Sequence, residues 1–180
     1  MTNGLLRRSL DRLYLVTGVL GAATMIVLVL LILAQIVTRL LVLPVPGLDE
    51  LAAWSVAGCA LLPLAYTFRH GVHIRVDLII SHVGPGKRRV MEIVALAAAS
   101  AMVSFMAYAA IDMVWDSYEF GEMSSGQIVV PIWIPQIAIP VGVSVFAIAL
   151  IDDLVTVLLG GTPSWEQHQT SAVDRAAEEI

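Results

Sequence analysis

Formal charge is what this chain has least of. Asp, Glu, Lys and Arg make up 14% of its 180 residues, where a soluble domain carries about 25%. They are missing altogether from four runs: Leu13 to Thr38, Leu51 to Phe68, Ile93 to Ile111 and Ile128 to Ile151. Cysteine occurs once, as Cys59 inside an apolar run. One thiol makes no intrachain disulfide and no structural zinc site by itself, so it reads as a small apolar residue. All four histidines, His70, His73, His82 and His168, lie outside the uncharged runs. A haem held between helices needs a histidine facing the interior, and the pair His70 and His73 has no third ligand in view. No cofactor or metal site is expected. A Gly-rich phosphate loop, a catalytic triad and a zinc-protease motif are all lacking, which leaves no basis for an enzyme. No acid sits near the middle of any run, where an ion-coupled carrier would need one.

What the chain does have is oil: 58% apolar residues and a mean hydropathy of +0.86. Each uncharged run is long enough, or nearly so, to cross a bilayer as a helix, and a helix satisfies its own backbone groups in lipid. The alternation that marks a membrane barrel is absent. The expectation is an all-α membrane protein of four tilted transmembrane helices, spanning about 13–38, 50–69, 90–115 and 132–158 within one domain, 1–159. A polar tail, 160–180, follows. Arg7, Arg8 and Arg12 imitate the basic start of a signal peptide, but the apolar stretch after them is too long and shows no clear cleavage site. It reads as an uncleaved first span. No internal repeat points to an inverted-repeat carrier.

Basic residues set the orientation. With the N-terminus inside, Arg7, Arg8, Arg12, Arg69, Arg75, Lys87, Arg88, Arg89 and Arg175 are cytoplasmic, and only Arg39 is outside. The positive-inside rule then places both termini in the cytoplasm. Asp49 and Glu50 open the second helix on the outer side, where acids suit a helix N-terminus. Asp112 and Asp116 close the third there, and Asp152 and Asp153 close the fourth inside.

The decapeptide RHGVHIRVDL, 69–78, interrupts the apolar pattern. It ends the second span and turns at Gly71. Val76, Ile79, Ile80 and Val83 then repeat at helical spacing, which predicts a short amphipathic helix lying at the inner interface and ended by Gly84-Pro85-Gly86. Arg69, His73 and Asp77 are spaced to form a polar face toward lipid headgroups or a partner. Gln35 and Thr38 are the polar residues of the first span, suited to bonding a neighbouring helix. Pairs four apart, such as Gly18 with Ala22 and Ser100 with Ser104, permit close packing. Pro131 and Pro135 fit a helix entry, while Pro63 and Pro140 should kink their spans. Trp133 suits the outer interface.

Three stretches together resemble a known family: LDELAAW (48–54), AYTFRHGVHIRVDL (65–78) and SGQIVVPIWIPQIAIPVG (125–142). The pattern is similar to the small, DctQ-like permease subunit of tripartite ATP-independent periplasmic (TRAP) transporters, over roughly residues 10 to 158. The resemblance implies a partner, a large permease subunit in one-to-one pairing, that carries an organic acid or related solute inward on a sodium gradient. It also implies a periplasmic substrate-binding protein, membrane lipids as surroundings, no nucleic acid, and a place in the inner membrane. Asp49, Glu50, Arg69, Gly71, His73, Arg75, Asp77, Trp133, Pro135 and Pro140 occupy the motif positions, with roles in fold, topology and docking implied. From the residues alone, a membrane anchor or assembly subunit of another complex stays open. So does a small multidrug exporter, although its expected intramembrane acid is missing from Leu13 to Thr38. Asp77→Ala and Arg75→Ala are expected to lower recovery of a large membrane partner with this chain. Unchanged complex yield and uptake would leave the decapeptide a topological role alone.

Overall fold

The computed structural model describes residues 4–43, 45–70 and 85–161. Six helices account for most of them: α1 Gly4–Leu40, α2 Leu48–Leu61, α3 Leu64–Arg69, α4 Pro85–Glu119, α5 Trp133–Gln136 and α6 Ala138–Leu158. α2 with α3, and α5 with α6, are each one span bent at a proline. The result is four helices long and apolar enough to cross a membrane: Arg7–Leu40, Leu48–Arg69, Arg89–Glu119 and Trp133–Leu158. This is the all-α membrane architecture that the uncharged runs predict. Among the described residues there is no strand, only one isolated bridge between Met123 and Pro131.

Both kinks have the same cause. A proline ring has no N–H to give and crowds the carbonyl four residues back. α5 stops at Gln136, four residues before Pro140, and the backbone passes through Ile137 in helical conformation. At the other bend the backbone stays helical through Leu62, and Thr67 N–H bonds to the Pro63 carbonyl at 2.9 Å.

α6 is the organising helix. Val145 and Ala149 face Tyr14 of α1 and Ala65 of α3. Leu150 and Val157 face Leu96 of α4. Two stripes at helical spacing on one small-residue helix therefore carry α1 and α3 on one side and α4 on the other. α1 packs along α2, and α2 and α3 pack on α6. Helices in lipid gain little from apolar burial against each other, so close fit has to hold them. Gly142 shows how close: a Cβ there would lie 2.7 Å from the backbone carbonyl carbon of Leu61. At Gly21 a Cβ would meet Pro63 at 2.6 Å. The outward faces stay apolar and exposed, as at Met25, Ile26 and Leu30 of α1 and Met102 and Phe105 of α4. That composition suits hydrocarbon or another membrane protein.

Two boundaries differ from the sequence reading. Pro85 and Gly86 open α4, so Lys87, Arg88 and Arg89 lie inside its first turns and do not precede it. Proline is at home there because the first N–H groups of a helix have no partner within it. At its other end α4 runs past Asp112 and Asp116 to Glu119. Charge marks where the hydrocarbon ends, and a helix in water continues beyond that point at little cost. The amphipathic helix expected over 76–83 and the turn at Gly71 lie outside the described residues, as does the tail from Thr162.

Gly142→Leu is expected to destabilise the fold by about 3 kcal/mol or more, because the added side chain meets backbone that cannot rotate away. Ala22→Leu, on the exposed face of α1, should leave the detergent-solubilised melting temperature nearly unchanged. Equal effects of the two would show that Gly142 is not at a tight crossing.

Candidate functional site

Among the described residues, two polar knots lie at opposite ends of the helices. The first is built on Arg69, the last residue of α3. Its side chain is 9% exposed, with Nη2 3.0 Å from Asp11 Oδ1 of α1 and Nη1 2.8 Å from Asp152 Oδ2 of α6. The guanidinium carbon lies 5.0 Å from the centroid of the Tyr14 ring, which is buried beneath it. Asp11 and Tyr14 are three residues apart on one face of α1, so one helix supplies both a carboxylate and an aromatic face to the same cation. α4 joins this end through Arg89, whose Nη2 donates to the Val157 carbonyl at 3.0 Å. That bond gives a cation to the carbonyl-rich C-terminus of α6, where the helix dipole favours it. Starts of α1 and α4 and ends of α3 and α6 thus meet at one end.

An arginine suits this position better than a lysine. Its planar fork reaches two carboxylates on different helices while its face rests on a ring, and it holds its charge when buried. The neighbouring His70 turns its ring onto Tyr66, with centroids 4.0 Å apart, and its Nδ1 lies 2.8 Å from the Tyr66 carbonyl oxygen.

The second knot forms around the first turn of α2. Gln35 of α1 donates through Nε2 to Asp49 Oδ1. The Glu50 carboxylate accepts the N–H groups of Gln127 and Ile128, the latter at 3.2 Å. Gln127 in turn receives the Gly47 N–H on its Oε1 at 2.8 Å. The loop after α4 is shaped to deliver these groups. Ser117 donates to Glu122 at 3.0 Å, and two backbone bonds, Ser124 N–H to Val130 O at 2.8 Å and Ile132 N–H to Glu122 O at 3.0 Å, fold it into a narrow hairpin. Gln127 lies near its tip. Gly47, at φ +85°, makes the left-handed turn that lets the backbone approach Gln127. Trp133 packs edge-on to Tyr118 at 5.7 Å, and Tyr118 lies 6.3 Å from Trp115. These amphipathic rings suit a membrane–water boundary.

The motif residues therefore do not form one site. Asp49 and Glu50 join the hairpin that carries the third motif stretch. Arg69 lies about 30 Å away, some twenty residues along the α2–α3 span. Trp133 and Pro135 belong to α5, and Pro140 is buried in α6. Gly71, His73, Arg75 and Asp77 lie outside the described residues. Arg69, read from spacing as part of an outward polar face, turns inward to Asp11 and Asp152. Gln35 finds its partner inside the chain, on α2. Sequence reasoning missed Asp11, Tyr14, Asp152 and Gln127. One signal was available: an arginine and an acid, each at the end of an apolar span, need counter-charges if they are buried. Among the described residues no cluster of His, Cys, Asp and Glu could hold a metal ion. What the two knots offer chemically is electrostatic fastening.

Residues 28–160 match the family model described as tripartite ATP-independent periplasmic transporters, DctQ component. No curated protein sequence matches the chain. The matched range takes in the second knot, Arg69 and Asp152, and begins after Asp11 and Tyr14.

Removing a carboxylate partner from a buried guanidinium leaves the charge uncompensated, a loss of up to about 3–5 kcal/mol in full burial. Asp152 is 31% exposed and Asp11 53%, so water compensates more at Asp11. Asp152→Ala is expected to lower the melting temperature in detergent more than Asp11→Ala, and Arg69→Lys should not restore the wild-type value. The reverse order, or a silent Arg69→Lys, would remove the bridging role assigned to Arg69.

Proposed function

The chain belongs to the DctQ-component family of tripartite ATP-independent periplasmic transporters, and on that premise we propose that it is the fixed membrane scaffold of a sodium-driven uptake system. In this reading it pairs with a large permease subunit, which moves a solute delivered by a periplasmic binding protein. The observation that carries the proposal is the family match over residues 28–160, from the last part of the first membrane-capable helix through the other three.

The geometry supports a static role. A scaffold must resist being dragged when its partner moves, and each end of this helix set is fastened by polar contacts between elements distant in sequence. Between Asp11 and Gln35, which mark the two knots on α1, lie about 24 residue steps, or ~36 Å of helix. That fits a hydrocarbon core of ~30 Å crossed at a tilt. No charged side chain falls in the four runs between the knots, so sodium and solute binding are assigned to the large subunit. Arg7, Arg8, Arg12, Arg69 and Arg89 lie toward the Arg69 end, while Arg39 lies at the other. The positive-inside rule supports a cytoplasmic Arg69 end and a periplasmic hairpin.

The test is co-purification. The tagged chain, expressed with its neighbouring genes and extracted in mild detergent, should bring down a stoichiometric large membrane protein. Reconstituted uptake should require sodium and disappear when this chain is omitted. A chain purified alone, or uptake that persists without it, would overturn the scaffold reading.

A further inference from the structure

The end of α1 carries a cleft that shares Gln35, Asp49 and Gln127 with the second knot but also holds Arg39, which the fastening does not use. A cleft of about 660 Å³ opens beside the α1–α2 turn, with Gln35, Thr38, Arg39, Asp49 and Gln127 among its polar lining and Val42 and Leu43 among its apolar lining. A smaller cleft of about 280 Å³ lies against Gln35, Ile36, Arg39 and Leu40. Arg39 thus stands between two clefts. We propose that this place binds the headgroup of a zwitterionic aminophospholipid, with the phosphate on Arg39, the ammonium on Asp49 and an acyl chain running along Ile36 and Leu40.

Four observations point there. The first is charge. Arg39 and Asp49 line one cleft yet do not pair with each other, and both are exposed. Gln35 engages one oxygen of Asp49, which leaves the other for a cationic donor. A purely anionic headgroup would face the Asp49 carboxylate, and a quaternary choline has no N–H to give it. The second is depth. Arg39 stands just past the uncharged run that ends at Thr38, where headgroups begin. Membership in either leaflet gives the same chemistry, so the proposal stands apart from the orientation argued above. The third is shape. α1 ends in a tight turn in which Leu43 N–H returns to the Thr38 carbonyl at 2.9 Å and Val42 N–H to the Arg39 carbonyl at 3.3 Å. This turn holds Val42 at φ +55°, a conformation that costs a β-branched residue energy. The fourth is the wall material. Leu40 and Val42 are among the most exposed apolar side chains of the protein, at 77% and 85%, a composition suited to lipid at the rim.

Native mass spectrometry on the delipidated protein, alone and with any membrane partner that co-purifies, tests this. The probes are phosphatidylethanolamine, phosphatidylcholine and phosphatidylglycerol with identical acyl chains. Wild type should retain one phosphatidylethanolamine in preference to the other two. Arg39→Gln should weaken retention about tenfold, the loss expected for one charge-assisted contact, and Arg39→Lys should restore part of it. Asp49→Asn should shift preference toward phosphatidylglycerol. If Asp49→Asn fails to fold, the two Arg39 variants carry the test alone. Equal retention of the three lipids, or an unaltered Arg39→Gln, would overturn the site. Displacement by soluble phosphoethanolamine as readily as by the lipid would overturn the lipid as the ligand. Loss of the co-purified partner in Arg39→Gln with lipid retention unchanged would show that a protein fills the cleft.

Discussion

The guanidinium of Arg69 is the contact on which one end of the fold depends. It is buried where the uncharged run Leu51 to Phe68 ends, and it would be costly there without compensation. Two carboxylates and an aromatic face provide it, and they come from helices at opposite ends of the chain. Satisfying one cation therefore fixes how α1, α3 and α6 lie against each other. α4 is drawn to the same end by a simpler device, an arginine on the open carbonyls of α6. Above this level the described helices are held by close van der Waals fit, as at Gly21 and Gly142. Fit sets distance well but resists sliding along a helix axis poorly. A charged bond at the end supplies the axial register that smooth apolar surfaces lack.

The opposite end solves the same problem with backbone groups. Glu50 holds two amides of the hairpin after α4, and Gln35 holds the neighbouring Asp49. Together the knots fasten the helices at two depths separated by about one hydrocarbon thickness. The faces between remain apolar. The scaffold role proposed above asks for such an object, apolar between its two fastened ends. On that proposal, a chain with no charged group in its four uncharged runs serves transport through its partner.

Much of this was legible beforehand. The four uncharged runs dictate four helices, because a bilayer tolerates little else. The asymmetry of Arg and Lys distinguishes the two ends. Pro63 and Pro140 announce the bends, since a missing N–H in the interior of a helix removes a bond of its ladder. The motif stretches carry the family resemblance that the match over residues 28–160 supports. Helix ends were less legible. Lys87 to Arg89 and Asp112 to Glu119 mark where hydrocarbon stops, and that is a different boundary from where helical hydrogen bonding stops.

The pairing of charges could not be read at all. Arg69 lies 83 residues from Asp152, and Gly47 lies 80 from Gln127. Local patterns report only what neighbours within a few turns require. Spacing alone turned Arg69 outward with His73 and Asp77, and only the packing of α1 and α6 beside α3 shows two carboxylates within its reach. The number of spans, their bends and the sign of charge at each end are written in the order of residues, because they follow from the cost of polar groups in lipid. Which charges meet came from the packing, because a salt bridge depends on where helices distant in sequence come to lie.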